Sequence, residues 1–119
     1  MRIDDAAFPM EMIMGVPVIT TPEEIDITNA PGLGKALADA AASGNGTLVV
    51  DMSRTQFCDT AGIHALVAAH RRAAASGGRL LLVTAAIAVL RIFAITGLDQ
   101  VIASFASLEE ALASASSGA

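Results

Sequence analysis

Residues 47–63 read Thr47-Leu48-Val49-Val50-Asp51-Met52-Ser53-Arg54-Thr55-Gln56-Phe57-Cys58-Asp59-Thr60-Ala61-Gly62-Ile63. The opening run, Thr47 to Val50, is apolar and largely β-branched, as in a strand covered on both faces. A loop follows from Asp51 to Cys58. From Thr60 to Ser76, Ile63, Leu66, Val67, His70 and Ala74 then recur at helical spacing. A buried strand feeding a helix is half of a strand–helix–strand crossover, so a parallel partner strand is expected next. Leu80 to Val83 supplies it, after Gly77-Gly78 ends the helix.

The pattern extends in both directions. Ile87 to Thr96 reads as a helix stopped by Gly97, and Val101 to Phe105 as a last strand. Ser107 with Glu110 is a capping box that opens a terminal helix, Leu108 to Ala115, ahead of a frayed tail from Ser116 to Ala119. On the other side, Pro9–Ile13 and Val16–Thr20 flank Gly15 as a hairpin. Pro22 breaks that run, Asn29 with Pro31 signals a first helix over Ala30 to Ala42, and Ser43-Gly44-Asn45-Gly46 is turn chemistry. The order dictates one α/β domain over residues 1–119, core about 8–115, with a mixed, largely parallel sheet and about four α-helices. Chemistry in such sheets gathers at the carboxyl ends of strands and the helix N-termini beside them, which points to Asp51 through Gly62.

Composition narrows the function classes. With 119 residues and 54% hydrophobic content, one core forms without staples, and a two-domain reading is excluded. Four Phe, no Trp and no Tyr leave almost nothing for stacking on bases. A net charge of −5 with Lys35 as the one lysine leaves no basic patch for a phosphate backbone, so no nucleic-acid partner is expected. The longest apolar stretch, Leu80 to Leu90, is far short of the ~20 residues that span a bilayer, so no membrane partner is expected either. Cys58 is the sole cysteine and the start Met1-Arg2-Ile3-Asp4-Asp5 is acidic, so the expected setting is a reducing cytoplasm.

Several candidate chemistries compete. Asp51 and Thr84 end successive strands, a layout similar to a receiver domain phosphorylated on aspartate, yet the required acidic pair and the lysine after the last strand are missing. Gly32-Leu33-Gly34-Lys35 lacks the earlier glycine and the final Ser or Thr of a phosphate loop. His64 and His70 are six apart, the wrong spacing for one metal on a helix face, and His70 reads as a satisfied core histidine. No metal or cofactor follows. Asp59-Thr60-Ala61-Gly62 differs, because it sets a hydroxyl at a helix N-terminus, where free N–H groups and the helix dipole favour an anion. Either Asp59 or Thr60 is also a natural N-cap there.

These residues carry a resemblance. Val49 to Ser53, Phe57 to Ile63, Gly77-Gly78-Arg79-Leu80 and Ile95-Thr96-Gly97-Leu98-Asp99 look like successive signatures of the STAS domain, specifically the bacterial anti-sigma factor antagonists. Ile25-Asp26 is similar to the end of the family's segment before helix one. The resemblance implies a regulator, not an enzyme, which binds an anti-sigma factor with serine/threonine kinase activity. Phosphorylation ends that binding, a PP2C-like phosphatase restores it, and sigma-factor-dependent transcription follows the switch. The implied acceptor is Thr60, and the implied contact surface is Asp26, Ser53, Cys58, Asp59, Gly62 and Ile63. His64 joins them from spacing: one turn after Thr60, it is expected to face either a phosphate there, as a local sensor, or the partner. The alternatives are a receiver-type acceptor at Asp51 and a non-phosphorylated STAS component of a signalling assembly.

Overall fold

A computed structural model describes residues 8–43 and 46–117. The hairpin forms as expected. β1 (Met10–Ile13) and β2 (Val16–Thr20) pair antiparallel through a two-residue turn in which Met14 (φ +53°) and Gly15 (φ +81°) are both left-handed. That turn matches the right-handed twist of the strands it joins. β2 lies parallel to β4 (Leu48–Asp51), β4 to β6 (Leu80–Val83), and β6 to β7 (Ala103–Phe105). The five-stranded order is β1-β2-β4-β6-β7.

Side-chain alternation sends the strands into two cores. Ile19, Leu48, Val50, Leu80 and Leu82 face α1 (Ala30–Ala41), α2 (Thr60–Ala75) and α3 (Ile87–Thr96), meeting Leu33, Leu37, Leu66 and Phe93. Val16, Val18, Val49, Leu81 and Val83 face the other way, against α4 (Leu108–Ser117) and its buried Ala111. The central strands β4 and β6 are thus covered on both sides, which explains their unbroken apolar runs.

The structure departs from the sequence-based expectations in four places. The loop from Asp51 to Cys58 ends in a strand, β5 (Phe57–Cys58), which pairs parallel with another short strand, β3 (Glu24–Ile25), in a separate two-stranded sheet. The last strand starts at Ala103, not Val101. Leu98–Gln100 is a 3-10 helix, and Ile102 donates to the Leu98 carbonyl at 2.9 Å while its side chain is buried in the core. α4 runs on through Ser116 and Ser117, where a frayed tail is expected; Gly118 and Ala119, like Gly44 and Asn45 of the expected turn, lie outside the described residues. Asn29 precedes α1 without capping it. Its amide donates to the Glu24 carbonyl at 2.8 Å and its Oδ1 accepts from the Asp26 N–H at 2.9 Å, bracing the segment before the helix.

Candidate functional site

The two-stranded sheet builds the site. Its register pairs Glu24 with Phe57 and Ile25 with Cys58, and the Asp59 N–H donates to the Ile25 carbonyl at 3.0 Å. Gln56 and Phe57 both donate to the Glu23 carbonyl, at 2.7 and 3.2 Å. The connection after β2 is thereby stitched to the connection after β4, and Asp26 and Asp59 follow paired positions in the two strands. Gly62 closes the arrangement from below: a Cβ there would stand 2.6 Å from Cys58 Sγ and 2.7 Å from Ile25 Cγ2. Only a glycine lets the first turn of α2 seat this closely on the small sheet.

Asp59 is the N-cap of α2. Its Oδ1 accepts from the Ala61 N–H at 2.9 Å and the Gly62 N–H at 3.2 Å, two of the donors a helix start leaves unpaired. Thr60 then falls on the first helical residue and is exposed. Its neighbours in the preceding loop are tied down by comparison. The Ser53 hydroxyl donates to Asp51 Oδ1 at 2.6 Å, and the Ser53 N–H to the same oxygen at 3.0 Å. Thr55 is fully buried, shares a 2.6 Å hydrogen bond with the Thr21 hydroxyl, and donates to the Pro22 carbonyl at 2.7 Å. This buried hydroxyl pair is the foundation of the loop.

Asp26 opens the segment into α1. Its Oδ1 accepts from both the Thr28 hydroxyl and the Thr28 N–H, and these bonds, the hydroxyl's first, hold its carboxyl below the ordinary value of 3.8. Cys58 is sealed under Gly62 and Ile25. Burial, and secondarily the charge of Asp59, pushes its thiol up to about 12.

Of the eight residues expected at the site, Asp26, Cys58, Asp59, Thr60, Gly62, Ile63 and His64 stand at or beside the start of α2, at different depths, while Ser53 is held by Asp51 in the loop after β4. Asp26 and Asp59 are partly exposed, and Ser53, Thr60 and His64 are exposed. Cys58, Gly62 and Ile63 are buried, so they hold the surface up from beneath instead of forming it. Burial and helix spacing favour opposite assignments here: Ile63 belongs to the apolar stripe of α2, and Cys58 and Gly62 to the joint with β3. His70 also differs from expectation. It lies at the core edge, but its Nδ1 is buried without a hydrogen-bond partner.

Sequence reasoning missed the opposite wall of the site. A groove of about 320 Å³ separates β5 and the start of α2 from α3, with Phe57, Asp59 and Thr60 on one side and Ile92, Ile95 and Thr96 on the other. The signal was present, since Ile87–Thr96 carries only Arg91 and Thr96 as polar residues, more apolar surface than one buried stripe needs. For the Asp51 alternative, the carboxylate is engaged by Ser53, and Thr84 is buried with its Oγ1 accepting from the Ala86 N–H at 3.3 Å. Among the described residues, no three His, Cys, Asp or Glu side chains are grouped to hold a metal ion, and no helix is long and apolar enough to cross a membrane.

Comparison with known proteins agrees with this architecture. Residues 7–111 match the family model described as the STAS domain. An anti-sigma factor antagonist from Mycobacterium paratuberculosis is 28% identical, with a TM-score of 0.84 and 92% of each chain covered. The anti-sigma factor antagonist SpoIIAA in its unphosphorylated form is 26% identical over 89% of this chain and 93% of its own, with a TM-score of 0.75. The Bacillus cell fate determinant SpoIIAA in its phosphorylated form shares the fold at 24% identity, covering 89% of this chain and 96% of its own, with a TM-score of 0.68. A search of curated protein sequences gives no match.

Proposed function

The chain belongs to the STAS domain family, and from that premise we propose that it is an anti-sigma factor antagonist, a binding protein switched by phosphorylation of Thr60. In its unmodified form it binds an anti-sigma factor with serine/threonine kinase activity and so releases a sigma factor. The kinase transfers a phosphoryl group to the Thr60 hydroxyl, binding ends, and a PP2C-like phosphatase restores the acceptor. This takes place in the cytoplasm, with no cofactor resident in the chain and no reaction catalysed by it.

The observation that carries the reading is the presentation of Thr60: an exposed hydroxyl at the first residue of α2, fixed by the Asp59 cap, while Ser53 is bonded to Asp51 and Thr55 is buried. Asp26, Ser53, Asp59 and His64 form the surrounding contact surface, and Cys58, Gly62 and Ile63 support it. A phosphate adds about −1.5 to −2 charges beside Asp59. Reversing a 1:99 distribution of states takes about 5.5 kcal/mol, whereas an exposed charge pair is worth at most about 1 kcal/mol. The switch therefore has to act inside a desolvated contact, by repulsion and lost fit together.

Phosphopeptide mapping after incubation with the cognate kinase and ATP tests the assignment, with Thr60 expected as the main acceptor. Calorimetry should find Thr60→Ala binding the anti-sigma factor persistently and Thr60→Glu binding it more weakly. Phosphate mainly on Ser53 or Thr55, or equal affinity for the two variants, overturns the reading.

A further inference from the structure

Among the described residues, β1 ends the main sheet and is paired on its inner side alone, with β2. The two-residue turn makes Ile13 and Val16 a hydrogen-bonded pair, and antiparallel alternation makes Glu11 and Val18 the next one. The bond from the Thr20 N–H to the Pro9 carbonyl, 3.0 Å long, continues the same alternation. Met10 and Met12 therefore turn their N–H and C=O groups away from β2, a row of two donors and two acceptors along the edge of the sheet. Their side chains are 43% and 46% exposed.

The two faces of this edge differ. Met10 stands across from Ile19, and beside them a groove of about 190 Å³ opens between β1 and α1, lined also by Phe8, Ala36 and Ala40. That is below the roughly 300–1,000 Å³ of small-molecule sites and suits a side chain. Asp39 at the groove is already paired with Lys35 at 2.9 Å. Glu11 stands across from Val18 on the opposite face, the one that packs on α4, and is exposed. A strand laid antiparallel along β1 sets apolar residues beside Met10 and Met12, and one residue directly against Glu11 in a non-hydrogen-bonded pair, where side chains come closest. A second copy of the chain fits this edge poorly. The register that uses all the free groups of both edges places the two Glu11 carboxylates opposite each other, and like charges there repel. Sliding the copies by two residues matches Met10 with Met14, whose φ is +53°, or Met12 with Phe8, which precedes the strand, and either way half the bonds are lost. A basic residue against Glu11 removes the conflict, and the net charge of −5 favours the approach of a basic segment.

We propose that the outer edge of β1 is a strand-addition site for an extended segment of a partner protein in which Lys or Arg stands between two apolar residues. The backbone of Met10 and Met12 supplies the hydrogen bonds, the groove beside Met10 takes an apolar side chain, and Glu11 selects the charge. None of these residues belongs to the surface around Thr60, so the proposal does not rest on the role of that residue. The chain can be held at β1 while Thr60 stays open.

The test is an NMR titration of the full chain with the capped peptide Thr-Val-Lys-Val-Thr and with its counterpart carrying Glu in place of Lys. The lysine peptide is expected to shift the Met10 and Met12 amide resonances and to slow their hydrogen exchange, and the glutamate peptide to bind about fivefold more weakly. Glu11→Lys is expected to reverse that preference. Met12→Pro deletes an outward N–H that β2 does not use, and should abolish the shifts. Glu11→Lys decides alone if Met12→Pro fails to fold. If neither peptide shifts these amides, or if Glu11→Lys keeps the wild-type preference, the edge is not such a site. If sedimentation shows the free chain to be a dimer that Met12→Pro dissociates, a second copy is the occupant and the proposal fails. If both amides are already protected from exchange in a free monomer, the chain covers its own edge and the proposal fails likewise.

Discussion

Replacing Gly62 by alanine perturbs the joint that presents Thr60. The new Cβ would stand 2.6 Å from Cys58 Sγ and 2.7 Å from Ile25 Cγ2, closer than packed atoms come. Both neighbours are fully buried, so neither can swing into solvent to make room. Forcing one carbon into a filled core costs about 1–3 kcal/mol. Alanine recovers up to about 1 kcal/mol of helix propensity relative to glycine, and less in a first turn. The balance is a loss of about 1–2 kcal/mol, or roughly 5 °C in Tm for a chain of this size. Urea unfolding measures it directly. The same geometry predicts coupling: in Cys58→Ala the sulfur is gone, so adding Gly62→Ala should cost less than it does in wild type, by about 0.5 kcal/mol or more. Under the proposed function, phosphorylation of Thr60 should also slow, because relief of the clash lifts the start of α2. If Gly62→Ala is as stable as wild type, or the two substitutions are strictly additive, α2 does not seat on the small sheet in this way.

Two further expectations follow from the same corner of the fold. Asp59→Ala removes the N-cap of α2 and leaves the Ala61 and Gly62 amides unpaired, so chemical denaturation should show a loss of about 1 kcal/mol, with Asp59→Ser recovering most of it. The Cys58 thiol, ordinarily at 9.0, is pushed up to about 12 by burial, so between those values the folded chain holds a proton that the unfolded chain has released. Stability should therefore fall as pH rises from 9 towards 12, and Cys58→Ala should flatten that decline in urea titrations across the range.

The repeating elements were legible because each is set by a local signal. Alternation around Gly15 fixes the hairpin, the unbroken runs at Leu48–Val50 and Leu80–Val83 fix the doubly covered strands, and Gly97, with φ +80°, ends α3 where expected. The two-residue strands β3 and β5 were not legible. Neither Glu24-Ile25 nor Phe57-Cys58 has the length to show a period, and their pairing bridges more than thirty residues of chain that only the finished fold brings together. The same blindness hid the groove, since Phe57 and Ile95 meet across it through tertiary packing alone. Conversely, residues linked by one motif do not share one depth: Asp59 and Thr60 reach the surface while Cys58 and Gly62, a few residues away, are buried. A motif names a neighbourhood, and burial sorts its members into surface and support.

That sorting changes the electrostatics of the proposed switch. A bare helix N-terminus attracts an anion through unpaired N–H groups, but in α2 the Ala61 and Gly62 amides are already taken by the Asp59 carboxylate. A phosphoryl group on Thr60 therefore arrives beside a negative group that holds the very donors it would use. It can displace Asp59 from the cap, or turn outward over the groove towards Ile95. Neither course melts α2, because Leu66, Ala69 and Ala73 anchor that helix in the core well beyond its first turn. In both, the change would be confined to the rim around Thr60: the cap carboxylate is freed, or the apolar cleft gains a doubly charged edge. Under the proposed function, a rigid helix with a contested N-terminus would thus turn one modification into a change of surface without a change of fold.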